Sequence, residues 1–337
     1  MKKKLLKIVA VLFLVFCLVI AVLLFALSSW NSSKSKQWLA HPDLSGEMVD
    51  IGGLKLFCRI TGNGKPVVVF EGDAGSSSAE WRHIQDALPA GCTKLIYDRA
   101  GYGWSDIGTY PRTPERIASE LEQLLDAKGL SGGPFVLVGQ GLGAFYLQLF
   151  ASRHKPKIKA MIFSEPYSAS YYIFKKEMDP VVYKNLLDRG PAMKMAGFMS
   201  SLGIIRYFNA VPYRGLPADM RNLVVENYCQ KKTFAAMLNE YKNAPLRKSD
   251  ASPPVLPPVP ITVIHHCVEN YRKELTSFYL SYNDLERIEV IWMDMLHTIT
   301  DQSPYSRIIF AKNSTGNINI EEPNIIIEAV SRAVKLR

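Results

Sequence analysis

The sequence predicts an α/β protein in which a mostly parallel central sheet is covered on both faces by helices, behind a single apolar N-terminal span. Three observations predict it. Short β-branched, apolar runs at Val67–Phe70, Lys94–Asp98, Phe135–Val138, Ala160–Ser164 and Ile261–His265 recur along the chain, separated by stretches of helical periodicity. Strands that alternate with amphipathic helices pack as a parallel sheet buried on both sides. The run Phe135–Val138 leads straight into Gly139-Gln140-Gly141-Leu142-Gly143 and then a helix, a tight strand–turn–helix junction. Finally, Ile8–Leu27 is an unbroken stretch of 20 apolar residues, which as a helix spans about 30 Å, one hydrocarbon core. A length of 337 residues, 48% hydrophobic and 21% charged, suits one large domain or two small ones.

Each element can be justified in order. Residues 1–7 carry Lys2, Lys3, Lys4 and Lys7, and residues 8–27 read as a transmembrane helix. The apolar core of a cleaved signal peptide is shorter, about 7–15 residues, so a retained anchor is expected, although Ala26-Leu27-Ser28 offers a cleavage site. Lysines before the span and none directly after it place the N-terminus in the cytoplasm and the rest outside. Residues 28–46, rich in Ser and Lys, read as a polar tether, and a globular domain follows over 47–337. Glu47–Ile51 and Leu54–Ile60 form a strand pair around Gly52-Gly53, and Pro66 marks the start of Val67–Phe70. Thr113 caps a helix with Pro114 in its first turn; it runs to Lys128, stops at Gly129 and buries Ile117, Leu121, Leu124 and Leu125. After Ala160–Ser164, residues 167–258 are helical and rich in Tyr, Met and Lys, and end in the stiff proline-rich linker Ser252–Pro258. Ile261–His265 resumes the sheet, Arg307–Ala311 is its last strand, and Pro323–Lys335 closes the chain as a helix.

The net charge of +9 owes four units to the first seven residues. The remainder shows no Lys/Arg run interleaved with stacking aromatics, so no nucleic-acid partner is expected. Of five cysteines, Cys17 lies in the span. Cys58, Cys92, Cys229 and Cys267 have no framework spacing and are expected as four buried thiols. Asn31-Ser32-Ser33 and Asn313-Ser314-Thr315 are glycosylation sequons.

The chemistry is concentrated at the strand–turn–helix junction. Gly139 and Gly143 are the flanking glycines of the G-x-S-x-G nucleophile elbow, but the central residue, which should bear the attacking hydroxyl, is Gly141. From about Glu47 onward the order of motifs resembles the α/β-hydrolase superfamily, and specifically the branch that carries Tyr97-Asp98-Arg99-Ala100-Gly101-Tyr102-Gly103-Trp104-Ser105-Asp106. The segment from Phe70 to Trp81 resembles the family's oxyanion loop. The resemblance implies an oxyanion hole made by the backbone N–H groups of Asp73 and Leu142. An Asp73 carboxylate pointing inward would oppose negative charge there, so the side chain is expected to face solvent and contribute only its N–H. It also implies a substrate-selecting cap at 167–258, a catalytic histidine seven residues before Pro323, and an acid after the sixth or seventh strand. Counting back from Pro323 gives Gly316, with Asn317 next to it, so the base position is empty as well. The acid position falls on Glu165 or Glu269. Gln140 stands where the family usually has histidine.

A nucleophile needs a base within hydrogen-bond reach. With both missing, only the oxyanion hole and binding would remain, worth roughly 10³–10⁴-fold over water in serine hydrolases. The expectation is therefore a membrane-anchored hydrolase-like protein, catalytically degenerate and acting in ligand or partner binding, with Gly72, Gln140, His266 and Cys267 lining the ligand site and the ligand small and apolar or ester-like. The alternative is an active hydrolase of small or lipid-like esters with a non-standard nucleophile. Cys267 beside His266 is one such pair, but adjacent residues on a strand point to opposite faces. His297, followed by Asp301 and Pro304, imitates the histidine motif, but it falls on the helix before the last strand and reads as a half-buried or surface residue. A metal site from His265, Cys267 and Glu269 lacks a fourth ligand at a recognisable spacing, so no metal is expected. Gly139–Ala144 also fits G-x-G-x-x-A, with Glu165 closing the next strand, which is a minor dinucleotide-binding reading. Otherwise no cofactor is expected.

Overall fold

The computed structural model describes residues 2–184, 188–210, 216–244, 253–276 and 280–336. Eight strands form one sheet: β1 (Glu47–Asp50), β2 (Lys55–Thr61), β3 (Val67–Glu71), β4 (Thr93–Tyr97), β5 (Phe135–Gln140), β6 (Ile158–Ser164), β7 (Ile261–His265) and β8 (Arg307–Phe310). Their spatial order is β1-β2-β4-β3-β5-β6-β7-β8. The pairs β1–β2 and β2–β4 are antiparallel and all others parallel.

Strand alternation sorts the core into two faces. Val67 and Val69, Phe135 and Leu137, and Met161 and Phe163 belong to one cluster; Val68 and Phe70, Val136 and Val138, and Ala160 and Ile162 belong to the other. Three helices supply the first face: α2 (Pro114–Ala127) with Ile117, Leu121, Leu124 and Leu125, α3 (Gly141–Arg153), and a long helix at Tyr282–Thr300. The second is covered by Ile84 and by the closing helix Pro323–Lys335, through Ile326, Ala329 and Val330. The N-terminus of α2 forms as its sequence dictates: Thr113 Oγ1 accepts from the Arg116 N–H at 3.3 Å, and Pro114 occupies the first turn.

Between β6 and β7 lie the helices of a cap, chiefly α4 (Gly190–Ser201), α5 (Ile204–Phe208), α6 (Ala218–Tyr228) and α7 (Lys231–Asn243). The cap has its own apolar cluster built on Met193, Met220, Val224, Phe234 and Met237. The Tyr282–Thr300 helix is α8 and Pro323–Lys335 is α9. Ser252 of the proline-rich stretch lies outside the described residues; 253–260 is neither helix nor strand.

The N-terminal region departs from expectation. α1 runs from Lys2 to Leu39 without a break, so residues 28–39 are helix rather than tether. No Gly or Pro occurs before Pro42 to stop it, and the polar face is occupied. Asn31 is buried and donates to Ser200 O at 3.0 Å, Arg206 Nε donates to Asn31 Oδ1 at 2.8 Å, and Trp38 stacks on Trp104 at 4.3 Å. This burial also withdraws Asn31 as a glycan acceptor. Cys58, Cys92 and Cys229 are buried thiols, and Cys267 is a partly exposed one.

Candidate functional site

β5 passes into α3 with no intervening loop, and both flanking glycines are required by close approach. A Cβ on Gly139 would lie 2.6 Å from Ala144 Cα, and one on Gly143 would lie 2.6 Å from Glu71 O. The elbow turn is thus retained, with Gly141 at φ +55°. The volume that a side chain at 141 would need is filled. A Cβ there would lie 2.8 Å from Asp73 Oδ2 and closer still to the rest of the carboxyl group. Asp73 Oδ1 accepts from the Leu142 N–H at 2.8 Å. The sequence places the Asp73 carboxylate in solvent and leaves the Leu142 N–H free for an oxyanion; the structure turns the carboxylate inward onto that N–H. The Asp73 carboxyl lines the cavity, and its burial pushes its pKa up, opposed by the Leu142 and Ala74 N–H groups and by the positive charge of Arg189.

Gly316 lies across the same cavity. A Cβ there would meet nothing within 4 Å, and its carbonyl is 3.5 Å from Gln140 Nε2. Thr315, Gly316 and Asn317 all line the cavity. None of the chain's six histidines is among the described residues that do so.

Of the two acid candidates, Glu269 is exposed and pairs with Lys273 at 2.8 Å on the surface. Glu165 ends β6 in the left-handed region, φ +47°, and lines the cavity. It is also part of a buried ring of charges. Glu165 Oε1 is 3.0 Å from His265 Nδ1 and accepts from the His266 N–H at 2.6 Å, while Oε2 is 2.8 Å from His266 Nδ1. On the far side Glu289 meets His266 Nε2 at 3.0 Å and His265 Nε2 at 3.4 Å. An imidazole that faces carboxylates with both nitrogens donates twice and is therefore cationic. Despite the cost of burial, the two glutamates raise the His266 pKa to about 9, and the histidines lower that of Glu165 to about 2.

The two histidines do not diverge as strand neighbours should. β7 ends at His265, and the rings come to 3.9 Å between centroids. Glu165, His265 and His266 present donor atoms within 4.8 Å of one another, a grouping that could hold a divalent ion if the ring protons left. Sequence reasoning missed Glu289. Its one signal is an acidic residue on the apolar face of α8, between Leu285 and Trp292.

Other expected site residues lie elsewhere. Gly72 and His266 are not among the described cavity-lining residues, and neither is Cys267, which sits at the start of the helix Val268–Leu275. Gly72 is glycine because a Cβ would be 2.6 Å from Ser76 Cβ. With both His266 nitrogens held by glutamates, Cys267 has no base beside it. His297 is exposed on α8. For a dinucleotide, the helix N-terminus that would receive a pyrophosphate already holds the Asp73 carboxylate.

The cavity measures about 650 Å³. Asp73, Gln140 and Gly141 form its floor, and Met193, Phe234 and Met237 of the cap its roof. Arg189, Tyr167 and Tyr241 supply its polar wall.

A family model described as alpha/beta hydrolase fold matches residues 65–211. Epoxide hydrolase VrEH1 from Vigna radiata superposes with a TM-score of 0.63 at 17% identity, covering 86% of this chain and 97% of the other. The chain has the α/β-hydrolase fold. "Uncharacterized protein YqjL" from Bacillus subtilis is 23% identical over 269 residues, 80% of this chain and 83% of the relative. "Probable transporter efuK" from Hormonema carpetanum is 32% identical over 133 residues, but that match spans only 18% of efuK's length.

Within this α/β-hydrolase fold the Tyr97–Asp106 block works as a clamp. Arg99 donates to the carbonyls of Gly72 at 2.7 Å and Asp73 at 2.9 Å, pairs with buried Glu71, and reaches Glu240 of the cap at 3.1 Å. Tyr97 completes the contact with Glu71, and Tyr146 bonds Glu240 at 3.2 Å. Asp98 accepts from the N–H groups of Ser78 at 2.7 Å and Trp104 at 3.0 Å. One arginine thus fixes the loop that follows β3, and with it the inward turn of Asp73, while tying the cap to the sheet.

Proposed function

We propose that this protein is a membrane-anchored member of the α/β-hydrolase superfamily that binds a small, apolar or ester-like ligand in the capped cavity and carries out no serine-type acyl transfer. The observation that carries this reading is the Asp73 carboxylate, seated in the volume of the missing side chain and on the Leu142 N–H. A tetrahedral oxyanion needs that N–H and an electropositive site; here a carboxylate already holds it. The missing nucleophile, the missing base and the occupied donor are three separate obstacles to the same reaction. The anchor is Ile8–Leu27, within a helix apolar enough to cross a membrane, and the N-terminal lysines support a globular domain outside the cytoplasm.

A series of p-nitrophenyl esters tests this reading. The native protein and the Gly141→Ser/Gly316→His variant should both be silent, because the second still has Asp73 in the way. Adding Asp73→Gly to that pair should give turnover well above buffer, with fluorophosphonate labelling confined to position 141. Turnover or labelling by the native protein would overturn the reading.

A second reading has one observation in its favour. The Asp73 carboxylate at the elbow could itself attack an epoxide carbon, breaking the ring C–O bond and leaving an alkoxide that takes a proton from a cavity tyrosine, Tyr167 or Tyr241, with a covalent ester left on Asp73; this would make Asp73 the non-standard nucleophile, and epoxides are named for neighbours of this fold. Asp73→Ala would then abolish an activity that the native protein displays.

A further inference from the structure

We infer that the cap helices α4 and α5 form a docking surface for the outer face of the lipid bilayer, so that the mouth of the cavity opens onto lipid. This rests on the reading of Ile8–Leu27 as a membrane span, and it adds that a second part of the molecule, far away in sequence, meets the same membrane.

The first support is exposure. Met195 and Phe198 of α4 are 60% and 59% exposed, and Tyr207 and Phe208 of α5 are 67% and 71% exposed. Two helices so close in sequence rarely leave four large apolar side chains in water without a partner to cover them. The second is position. The α4–α5 junction is attached to the end of the apolar span: Ser28 Oγ donates to Ser201 O at 2.8 Å, and a Cβ on Gly203 would lie 2.9 Å from Leu27 O. Because Leu27 is the last residue of the 20-residue run, these contacts set α4 and α5 at the level where hydrocarbon gives way to headgroups. Trp30, one turn beyond and 41% exposed, is the residue type that favours this layer.

The third support is charge. Residues 189–210 contain no Asp or Glu; Arg189 faces the cavity and Arg206 is paired with Glu226, which leaves the exposed Lys194 of α4 as the cation for phosphate headgroups, with nothing acidic on this stretch to oppose their approach. The fourth is the cavity. Met199, itself exposed, lines the cavity together with Ile205 and Ala210. The face that meets lipid is therefore also the wall of the binding site, and the ligand class this geometry favours is a membrane-derived molecule with an acyl-chain-like apolar portion.

Depth measurement in nanodiscs of phosphatidylcholine and phosphatidylglycerol tests the inference. In the full chain carrying Cys17→Ala and Cys267→Ala, single spin labels are placed by Phe25→Cys, Phe198→Cys, Phe208→Cys and Tyr305→Cys, and their collisions with oxygen and with a water-soluble nickel chelate are compared. Tyr305 lies just before β8, at the amino end of the sheet and away from the cap, and serves as the water reference. The expected result is lipid-type accessibility at 25, 198 and 208 and water-type accessibility at 305. Lipid at 25 with water at 198 and 208 would overturn the docking surface and leave the anchor standing. Water at 25 would overturn the anchor, and the inference with it. Protection from both reagents at 198 and 208 would mean that protein, such as a second copy, covers the patch, which also overturns the inference.

Discussion

At position 141 a side chain and the Asp73 carboxylate compete for one volume. The left-handed φ of +55° adds strain for any residue but glycine, at a cost of about 1–2 kcal/mol. Gly141→Ser alone should therefore lower thermal stability and generate no activity, which a melting curve beside an ester assay would check. The carboxylate itself is held against its preference. Burial raises the Asp73 pKa, so the native state binds its proton more tightly than the unfolded chain does. Stability on this account is full at low pH and declines as pH rises through the ordinary aspartate range to the raised native value. Asp73→Asn keeps an acceptor for the Leu142 N–H without the charge. It should raise Tm at pH 7 by about 2–4 °C, the scale of about 1 kcal/mol in a domain of this size, and the gain should vanish under acid conditions where Asp73 is protonated. An unchanged or lowered Tm at pH 7 would mean that the charge is stabilised by its surroundings. That glycines stand at 141, on the elbow, and at 316, on the cavity wall, was legible because it concerns which residue stands at a counted position. The inward turn of Asp73 was not, because it depends on what a neighbouring loop does once a side chain is gone.

Between elements, the ring of Glu165, His265, His266 and Glu289 ties the ends of β6 and β7 to α8. Its signs are opposite to that of Asp73. His266 has a raised native pKa of about 9, so its contribution is complete below its ordinary 6.5 and is lost as pH rises through 9. Glu165 has a lowered one, so its contribution is complete above 4.5 and is lost as pH falls toward about 2. The ring is at full strength between those ordinary values, and a shift of this size is worth on the order of 3 kcal/mol. Tm should therefore fall between pH 6.5 and 9 in the native protein. In Glu289→Gln it should start lower and fall less over the same interval; parallel curves would remove the ring as the cause. The strands and α2 could be read from periodicity and caps, since those are local signals. The ring could not, because period-two alternation says nothing about a chain that leaves the strand between His265 and His266. The helical course of residues 28–39 was misread for a related reason: serine-rich composition was weighed above the absence of any breaker before Pro42, and the stabilising partners are some 170 residues away.

The molecule as a whole is held to one arrangement by Arg99, whose guanidinium touches the Gly72–Asp73 loop, β3 and the cap together. The ten-residue block containing it identified the fold from sequence, but not why an arginine stands there. A buried cation between two buried glutamates is destabilising to break from one side, typically by about 3–5 kcal/mol, because the remaining charges lose their partner. Arg99→Met leaves Glu71 and Glu240 facing each other's neighbourhood without a cation, and it frees the carbonyls of Gly72 and Asp73. The loss should not be uniform. Glu240 lies on α7, so the cap should open locally before the sheet unfolds, and amide exchange in Lys231–Asn243 should rise more than that in β5 or β6. Arg112 provides the comparison, since its guanidinium pairs with Glu120 of α2 at 2.7 Å. Arg112→Met should cost stability of the same order without producing excess exchange in α7. Equal exchange profiles for the two variants would mean that cap and sheet unfold as one unit and that Arg99 stabilises the molecule without governing how the cavity is closed.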